Sequence, residues 1–199
     1  MTRIFFNLDG TVITKETLPL ISTHFGVQEE IDALTKDTIN GNIPFVESFI
    51  RRVHILGKID VIAINNLLSD VPLYHNVFQF IRKNADSCAI VTGNISCWIK
   101  TLIDKIGVTC YCSEGLVINN KVEKLTRILK KENLVKEEQN FGNKVVFVGV
   151  GNNDMEAMRL ADISIACGIT HQPAASVLSI ADYAVFSEEA LCRQLNQLL

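Results

Sequence analysis

The chain has 199 residues, of which 48% are hydrophobic and 21% charged, with a formal net charge of -3. This length suits one domain, or a core with a modest insertion, and the hydrophobic content excludes a disordered chain. The charge balance offers no basic surface for nucleic acid, and no apolar run is long enough to span a membrane. The six cysteines form no CxxC pair or zinc-type spacing, and the N-terminus predicts a strand rather than a signal peptide, so we expect a cytoplasmic protein with free thiols.

The first predicted strand, residues 3–8, is an apolar run that ends in polar side chains. Asn7 and Asp9 are two residues apart, so they share one face of the strand and emerge together at its end. Gly10 permits a tight turn out of the sheet, and Thr11 adds a hydroxyl at the same place. Ligands bind at this end of open parallel sheets, so the segment is the first candidate site.

Helical patterns alone occupy the next part of the chain. The predicted helices cover residues 14–25, 28–40, 44–56 and 60–68, and Pro72 follows them. A segment of about sixty residues is too long for a simple strand-to-strand crossover. We therefore predict a helical cap at residues 14–72, inserted into a core of residues 1–13 and 73–199.

Strands and helices alternate through the rest of the chain, which predicts a parallel, three-layer α/β/α sheet of Rossmann-like type. The strands are predicted at residues 87–91, 108–112, 115–119, 144–150, 163–166 and 183–186, and the intervening helices include one at 121–133. We expect no long hairpin between Cys112 and Lys121, because few residues separate them.

Three further motifs lie near the ends of predicted elements. Thr92 and Gly93 follow a buried strand, Lys121 opens a predicted helix four residues before Leu125, and residues 148–154 form a glycine-rich loop. Each has an ordinary explanation: a helix N-cap, a solvated lysine (with Lys124 as a competitor) and a strand-to-helix turn.

Together with Asn7–Thr11, these motifs resemble the four motifs of the haloacid dehalogenase (HAD) phosphohydrolase superfamily. The resemblance implies the α/β core with an inserted cap, phosphomonoester hydrolysis and a Mg²⁺ cofactor. It implies that Asp9 is the general acid/base, that Thr92 donates to the phosphoryl group and that Lys121 offsets negative charge. It places Asp154 near the metal.

Residues 28–56 resemble the helical cap of the phosphoserine phosphatases within this superfamily. That resemblance implies that Glu16 binds a substrate amino group, Phe45 forms an apolar lid and Arg52 binds a carboxylate, with Gly93 and Asn153 also at the substrate. The ordinary alternatives are a first-turn helix acid for Glu16, a core position for Phe45 and a surface charge for Arg52.

Two positions depart from the family motifs. Asn7 replaces the nucleophilic Asp, and Val150 replaces the Asp that holds the metal. A neutral amide cannot form an aspartyl-phosphate, and the loss of both carboxylates leaves only the Asp9 carbonyl, the Asn7 amide oxygen and Asp154 for Mg²⁺. We predict weak or absent Mg²⁺ binding. One Asp→Asn change would suit an engineered trapping variant, but two changes in one machinery favour natural degeneration.

Three functions stay open from the sequence. The first is a phosphoserine-phosphatase-like phosphomonoesterase that is inactive or severely impaired as written. The second is a non-catalytic regulatory module that binds a small phosphorylated or carboxylate ligand. The third is a protein-interaction scaffold. The sequence does not indicate an oligomeric state.

Overall fold

The computed structural model describes residues 1–39 and 42–199, and of Ile39 and Phe45 it describes the backbone only. The strands are β1 Thr2–Phe6, β2 Cys88–Ile95, β3 Thr109–Ile118, β4 Lys121–Arg127, β5 Lys144–Gly149, β6 Ile163–Cys167 and β7 Tyr183–Val185. The helices are α1 Thr17–His24, α2 Gln28–Ile39, α3 Phe45–Leu56, α4 Val61–Ser69, α5 His75–Lys83, α6 Ser96–Ile106, α7 Lys131–Asn140, α8 Met155–Leu160, α9 Ala175–Leu178 and α10 Glu188–Asn196, with a 3₁₀ turn at Asn152–Asp154. None of the described helices is both long enough and apolar enough to cross a membrane.

The strands form one sheet in the order β4-β3-β2-β1-β5-β6-β7. All neighbouring pairs are parallel except β3 and β4. Alternate residues of β1 face opposite layers. Ile4 and Phe6 belong to a core cluster with residues of α5, α6 and α10, whereas Phe5 packs with residues of α7, α8 and α9. The predicted three-layer α/β/α fold is confirmed.

Helices α1 to α4 follow β1 before the chain returns to the sheet. The two connections run side by side, because Ile13 and Leu73 form an antiparallel bridge and Thr14 N–H donates to the Pro72 carbonyl at 3.0 Å. This arrangement agrees with an insertion at residues 14–72, whose exact bounds stay a prediction. The predicted helix stop at residues 40–41 lies outside the described residues.

The helix predicted at residues 121–133 was wrong, and so was the expectation of no long hairpin between Cys112 and Lys121, whereas the strands predicted at residues 108–112 and 115–119 correspond to β3. β3 and β4 form an antiparallel hairpin with a turn at Asn119 and Asn120, whose φ angles are 49° and 60°. Two consecutive residues with positive φ fit the tight turn that suits a hairpin. The pairing register shifts twice, and these irregularities disturb the alternation of buried and exposed residues that identifies a strand. The inward-facing Val122 and Leu125 are therefore three positions apart, a spacing that is typical of one turn of a helix. The helix in this part of the chain begins only at Lys131.

Candidate functional site

The carboxyl ends of three neighbouring strands meet at one cavity. Asn7 and Asp9 follow β1, Thr92 and Gly93 lie near the end of β2, and Val150 follows β5. The cavity measures about 560 Å³ and is closed on the opposite side by residues of α1, α2 and α3. The apolar residues on that side are Leu18, Pro19, Ile31, Val46 and Phe49. The site thus lies between the sheet and the inserted helices.

The Asn7 side chain is held at both ends. Lys131 Nζ lies 3.0 Å from Asn7 Oδ1, and Asn7 Nδ2 lies 3.0 Å from the Asp9 carbonyl oxygen. An ammonium group only donates and a carbonyl oxygen only accepts, so these two partners fix the orientation of the amide. Its oxygen faces Lys131, and its N–H group faces Asp9.

Asp154 lies behind Lys131 and is fully buried. Its Oδ1 accepts from Lys131 Nζ at 2.6 Å, and its Oδ2 accepts from the backbone N–H groups of Val150 and Gly151 at 2.8 and 3.1 Å. Gly149 leaves the room for this carboxylate, since a Cβ there would lie 2.7 Å from the Asp154 Cβ. Asp154 therefore acts as a buried counter-charge that holds Lys131 toward Asn7.

The Asp9 carboxylate accepts one hydrogen bond on each oxygen. Thr17 N–H, at the start of α1, donates to Oδ1 at 2.8 Å, and Asn94 Nδ2 donates to Oδ2 at 2.8 Å. Burial and the nearby Glu16 carboxylate raise the pKa of Asp9 to about 7, although Thr17 and Lys131 act in the opposite direction. A carboxyl group with this pKa can hold or release a proton near neutral pH.

Asn94 is a site residue that the sequence reasoning missed. Besides its bond to Asp9, its side chain accepts from Thr17 Oγ1 at 2.9 Å and donates to Thr92 Oγ1 at 3.2 Å. The side chain of Asn94 thus links β2 to the first turn of α1 by hydrogen bonds. The polar tripeptide of residues 92–94, at the end of an apolar strand, was the available signal.

Thr92 is buried at the floor of the cavity. Its hydroxyl oxygen accepts from the backbone N–H and the side chain of Asn94, both at 3.2 Å. Among the described residues no acceptor takes the hydroxyl hydrogen. Gly93 and Asn153 also line the cavity, and their contact with a substrate stays a prediction.

Two charged residues line the side of the cavity formed by the inserted segment. Glu16 lies at the N-cap of α1, and its Oε1 is 3.0 Å from His171 Nε2. Arg52 on α3 donates to Thr38 Oγ1 at 3.4 Å, but its buried Nε has no partner among the described residues. Burial lowers the pKa of the Arg52 guanidinium. The predicted lid residue Phe45 opens α3, and its side chain lies outside the described part of the chain.

The structure does not bring Lys121 to the site. Lys121 is the first residue of β4 and is exposed, as is Lys124 on the same strand. Lys131, which opens α7, contacts Asn7 and Asp154 instead. The assignment of the helix to residues 121–133 placed its first lysine ten positions too early in the sequence. A lysine at the start of a helix was the correct signal, applied to the wrong element.

The donor set does not fit Mg²⁺. This ion prefers near-octahedral oxygen coordination, usually with one or two carboxylates. The N–H group of Asn7 points at the Asp9 carbonyl, both Asp154 oxygens accept hydrogen bonds, and the Val150 side chain is buried and apolar. In addition, no three His, Cys, Asp or Glu side chains of the described residues cluster as a metal site would require.

No protein-family model matches the chain. Its sequence is 24% identical over 182 residues to the phosphoserine phosphatase of Methanocaldococcus jannaschii, covering 82% of this chain and 83% of that protein. It is 27% identical to the phosphoserine phosphatase of Saccharomyces cerevisiae, covering 81% of this chain but 57% of that protein.

Solved structures share the fold. A phospho-aspartyl intermediate analogue of phosphoserine phosphatase aligns over the full length of both chains with a TM-score of 0.81 and 19% identity. A HAD family hydrolase from Salmonella enterica serovar Typhi gives a TM-score of 0.81 and 19% identity over 92% of this chain and 67% of its own. These similarities extend well beyond the motifs at the strand ends.

Proposed function

We propose, from the premise that the chain belongs to the HAD superfamily as a phosphoserine phosphatase-like member, that it binds a small phosphorylated carboxylate without hydrolysing it. The orientation of the Asn7 amide is the observation that supports this most strongly. At the nucleophile position, an amide oxygen faces Lys131 and an N–H group faces the Asp9 carbonyl. The expected cytoplasmic location is part of the proposal.

The first reason is the missing attacking group. Covalent phosphoryl transfer from a monoester needs an anionic oxygen in line with the leaving group. Asn7 offers a neutral amide oxygen that already accepts from Lys131. Phosphate monoester hydrolysis without a catalyst is among the slowest of biological reactions, with enzymes accelerating it by up to about 10²¹-fold. Loss of the nucleophile therefore leaves little turnover at physiological rates.

The second reason is that the chain supplies its own substitute for a bridging cation. A carboxylate at residue 7 would face the Asp9 carbonyl with an oxygen, and two facing oxygens repel unless a cation lies between them. Asn7 places an N–H group there and closes the gap with a hydrogen bond of 3.0 Å. We infer that ligand binding at this site does not require Mg²⁺.

The third reason is that anion-binding groups persist. Lys131 uses two of its three N–H donors on Asn7 and Asp154, and the Thr92 hydroxyl hydrogen has no acceptor among the described residues. Arg52 offers a planar guanidinium suited to a carboxylate, and its buried Nε has no partner in the part of the chain that the structure describes. Phosphate at the sheet and carboxylate at the inserted helices is the arrangement that these donors favour.

A residual phosphomonoesterase is the second candidate. The observation in its favour is Asp9, whose pKa of about 7 would let it protonate a leaving group near neutral pH. Such an enzyme would need water as the attacking group, which Asn7 does not activate.

The test is a phosphatase assay with p-nitrophenyl phosphate and with phosphoserine in the presence of Mg²⁺. We expect no release of phosphate above the protein-free background. Reproducible turnover by the purified protein, lost in an Asp9→Asn variant, would favour the residual enzyme. Mass spectrometry of the natural-source protein tests independently that residue 7 is Asn in the cell.

The double variant Asn7→Asp with Val150→Asp restores both missing carboxylates. We expect it to gain Mg²⁺ binding and measurable hydrolysis, whereas Val150→Asp alone should gain metal affinity without hydrolysis, because it lacks the nucleophile. A double variant that gains neither would show that the pocket has diverged further than these two positions.

A further inference from the structure

The His171–Glu16 pair lies at the edge of the cavity. His171 belongs to the loop after β6, and both residues line the cavity. The pair is adjacent to Gly10, the residue after Asp9. A Cβ on Gly10 would lie 3.1 Å from Glu16 Oε1 and 3.5 Å from His171 Nε2. The pair therefore stands directly beside the segment that carries Asn7 and Asp9.

The hydrogen-bond partners of His171 favour its protonated form. Its Nδ1 lies 3.0 Å from the Gln172 carbonyl oxygen, and its Nε2 lies 3.0 Å from Glu16 Oε1. A carbonyl oxygen and a carboxylate oxygen both accept, so both contacts are hydrogen bonds only when both ring nitrogens donate. Only the imidazolium form carries two N–H groups. The geometry therefore favours a protonated His171 paired with Glu16.

The loop that carries His171 is fixed to the site. Thr170 Oγ1 donates to the Gly10 carbonyl at 3.0 Å and lies 2.9 Å from the Tyr74 hydroxyl. These bonds hold the loop against the β1 turn from one side and against the start of α5 from the other. The loop is thus anchored at the residue before His171, and the His171 ring, which is 47% exposed, is held by its contacts with Gln172 and Glu16.

The other acidic groups of the cavity are less suited to a cation. Both oxygens of Asp9 already accept hydrogen bonds, from Thr17 and Asn94. Glu132 also lines the cavity, but it lies in the first turn of α7, where the helix dipole already favours its negative charge. Glu16 is the carboxylate that would attract a ligand ammonium, and His171 already occupies one of its oxygens.

We propose that His171 takes the place of a ligand ammonium in front of Glu16, so that the pocket selects phosphorylated carboxylic acids that lack an amino group. This inference rests on the proposed function and specifies its ligand class. A ligand ammonium would have to displace His171 or share a carboxylate that is already paired. A ligand with a hydroxyl or hydrogen in that position meets no such competition.

The test compares two ligands that differ at one group. Phosphoserine carries an ammonium beside its carboxylate, and phosphoglycerate phosphorylated on its terminal carbon carries a hydroxyl there. Calorimetry at neutral pH should show phosphoglycerate binding about tenfold more tightly, the size expected for one charge-assisted interaction. His171→Ala should reverse this preference by exposing Glu16. His75→Ala, which removes an exposed histidine at the start of α5, should leave the preference unchanged.

The outcomes separate the two proposals. No binding of either ligand would overturn the proposed function. Tighter binding of phosphoserine by the unaltered protein would overturn the role of His171 and leave the proposed function standing. If the unaltered protein and the His171→Ala variant showed the same ratio of affinities for the two ligands, the role of His171 would also be overturned. Thermal unfolding of each variant checks that the substitution has not disturbed the fold.

Discussion

The Asn7 amide, Lys131 and Asp154 form a chain of contacts that ends in the protein interior. Lys131 and Asp154 are 4% and 0% exposed, and their charged atoms are 2.6 Å apart. A buried pair of this kind is costly to break, because the remaining partner is left as an uncompensated charge. The pair consequently sets both the stability of this end of the sheet and the orientation of Asn7.

Replacing Lys131 by Met tests whether the buried pair of Lys131 and Asp154 stabilises the protein. We expect a loss of about 3–5 kcal/mol in the free energy of unfolding, measured by urea denaturation, because Asp154 would lose its counter-charge. Lys121→Met is the matched control, since Lys121 is exposed on β4 and should change stability by less than about 0.5 kcal/mol. Equal effects of the two substitutions would contradict the assignment of Lys131.

The preference between the two ligands should depend on pH. Burial lowers the pKa of His171, but the Gln172 carbonyl and Glu16 raise it by more, so the pKa lies above its usual value. His171 is therefore charged below that raised pKa and becomes neutral as the pH rises through it. Glu16 then loses its paired cation, and the binding of phosphoserine relative to phosphoglycerate should improve.

Calorimetry at several pH values, from about pH 6 to about pH 9, measures this ratio of affinities. Asp9, whose pKa is about 7, also titrates in this range. Its charge affects the phosphate group of phosphoserine and that of phosphoglycerate alike, so its effect largely cancels in the ratio of affinities. A ratio that stays constant over this range, in a protein that binds both ligands, would contradict the charged state of His171.

The strand ends could be predicted from the sequence because their pattern is local. Asn7, Asp9 and Thr92 each follow an apolar run, and parallel strands bring such positions to one edge of the sheet. The polar tripeptide of residues 92–94 places Asn94 at a strand end in the same way, but it does not reveal what Asn94 contacts, and no local pattern marks His171. Each acts through contacts with residues more than seventy positions away in the chain.

At the scale of elements, the β3–β4 hairpin shows why the lysine was misplaced. The hairpin is an addition to the edge of a parallel sheet, and bulges disturb its alternating pattern. It also contacts the inserted segment, since Val122 N–H donates to the Gly57 carbonyl at 3.0 Å and Val61 N–H to the Asn120 carbonyl at 2.8 Å. The hairpin thereby helps to hold α3 and α4 in place.

At Gly57 the backbone of the inserted segment lies very close to the β3–β4 hairpin. A Cβ there would lie 2.5 Å from the Val122 carbonyl oxygen and 2.7 Å from the Val53 carbonyl oxygen. Both are backbone atoms that cannot rotate away, so Gly57→Ala should cost about 1–3 kcal/mol of unfolding free energy, as for other overpacked sites. Gly93→Ala is the control, because open space surrounds that position. Urea denaturation of both variants measures the difference, and an unchanged stability of Gly57→Ala would contradict the contact.

At the scale of the whole molecule, the cavity between the sheet and the inserted helices gathers groups from distant parts of the chain. Asn7 and Val150 stand at the positions where the family resemblance implies a nucleophilic and a metal-binding Asp. Lys131, Thr92 and Arg52 line the same cavity and carry N–H or O–H donors. The hydrogen bond from Asn7 to Asp9 closes the position between them without a cation. The proposed function accordingly separates ligand binding from hydrolysis.

The most direct test is the affinity for phosphoglycerate, measured by calorimetry once with EDTA and once with excess Mg²⁺. We expect saturable binding with dissociation constants that agree within about threefold, since no step of recognition uses the metal. An affinity that rises about tenfold or more with Mg²⁺ would contradict this expectation, because the ion would then be part of the site.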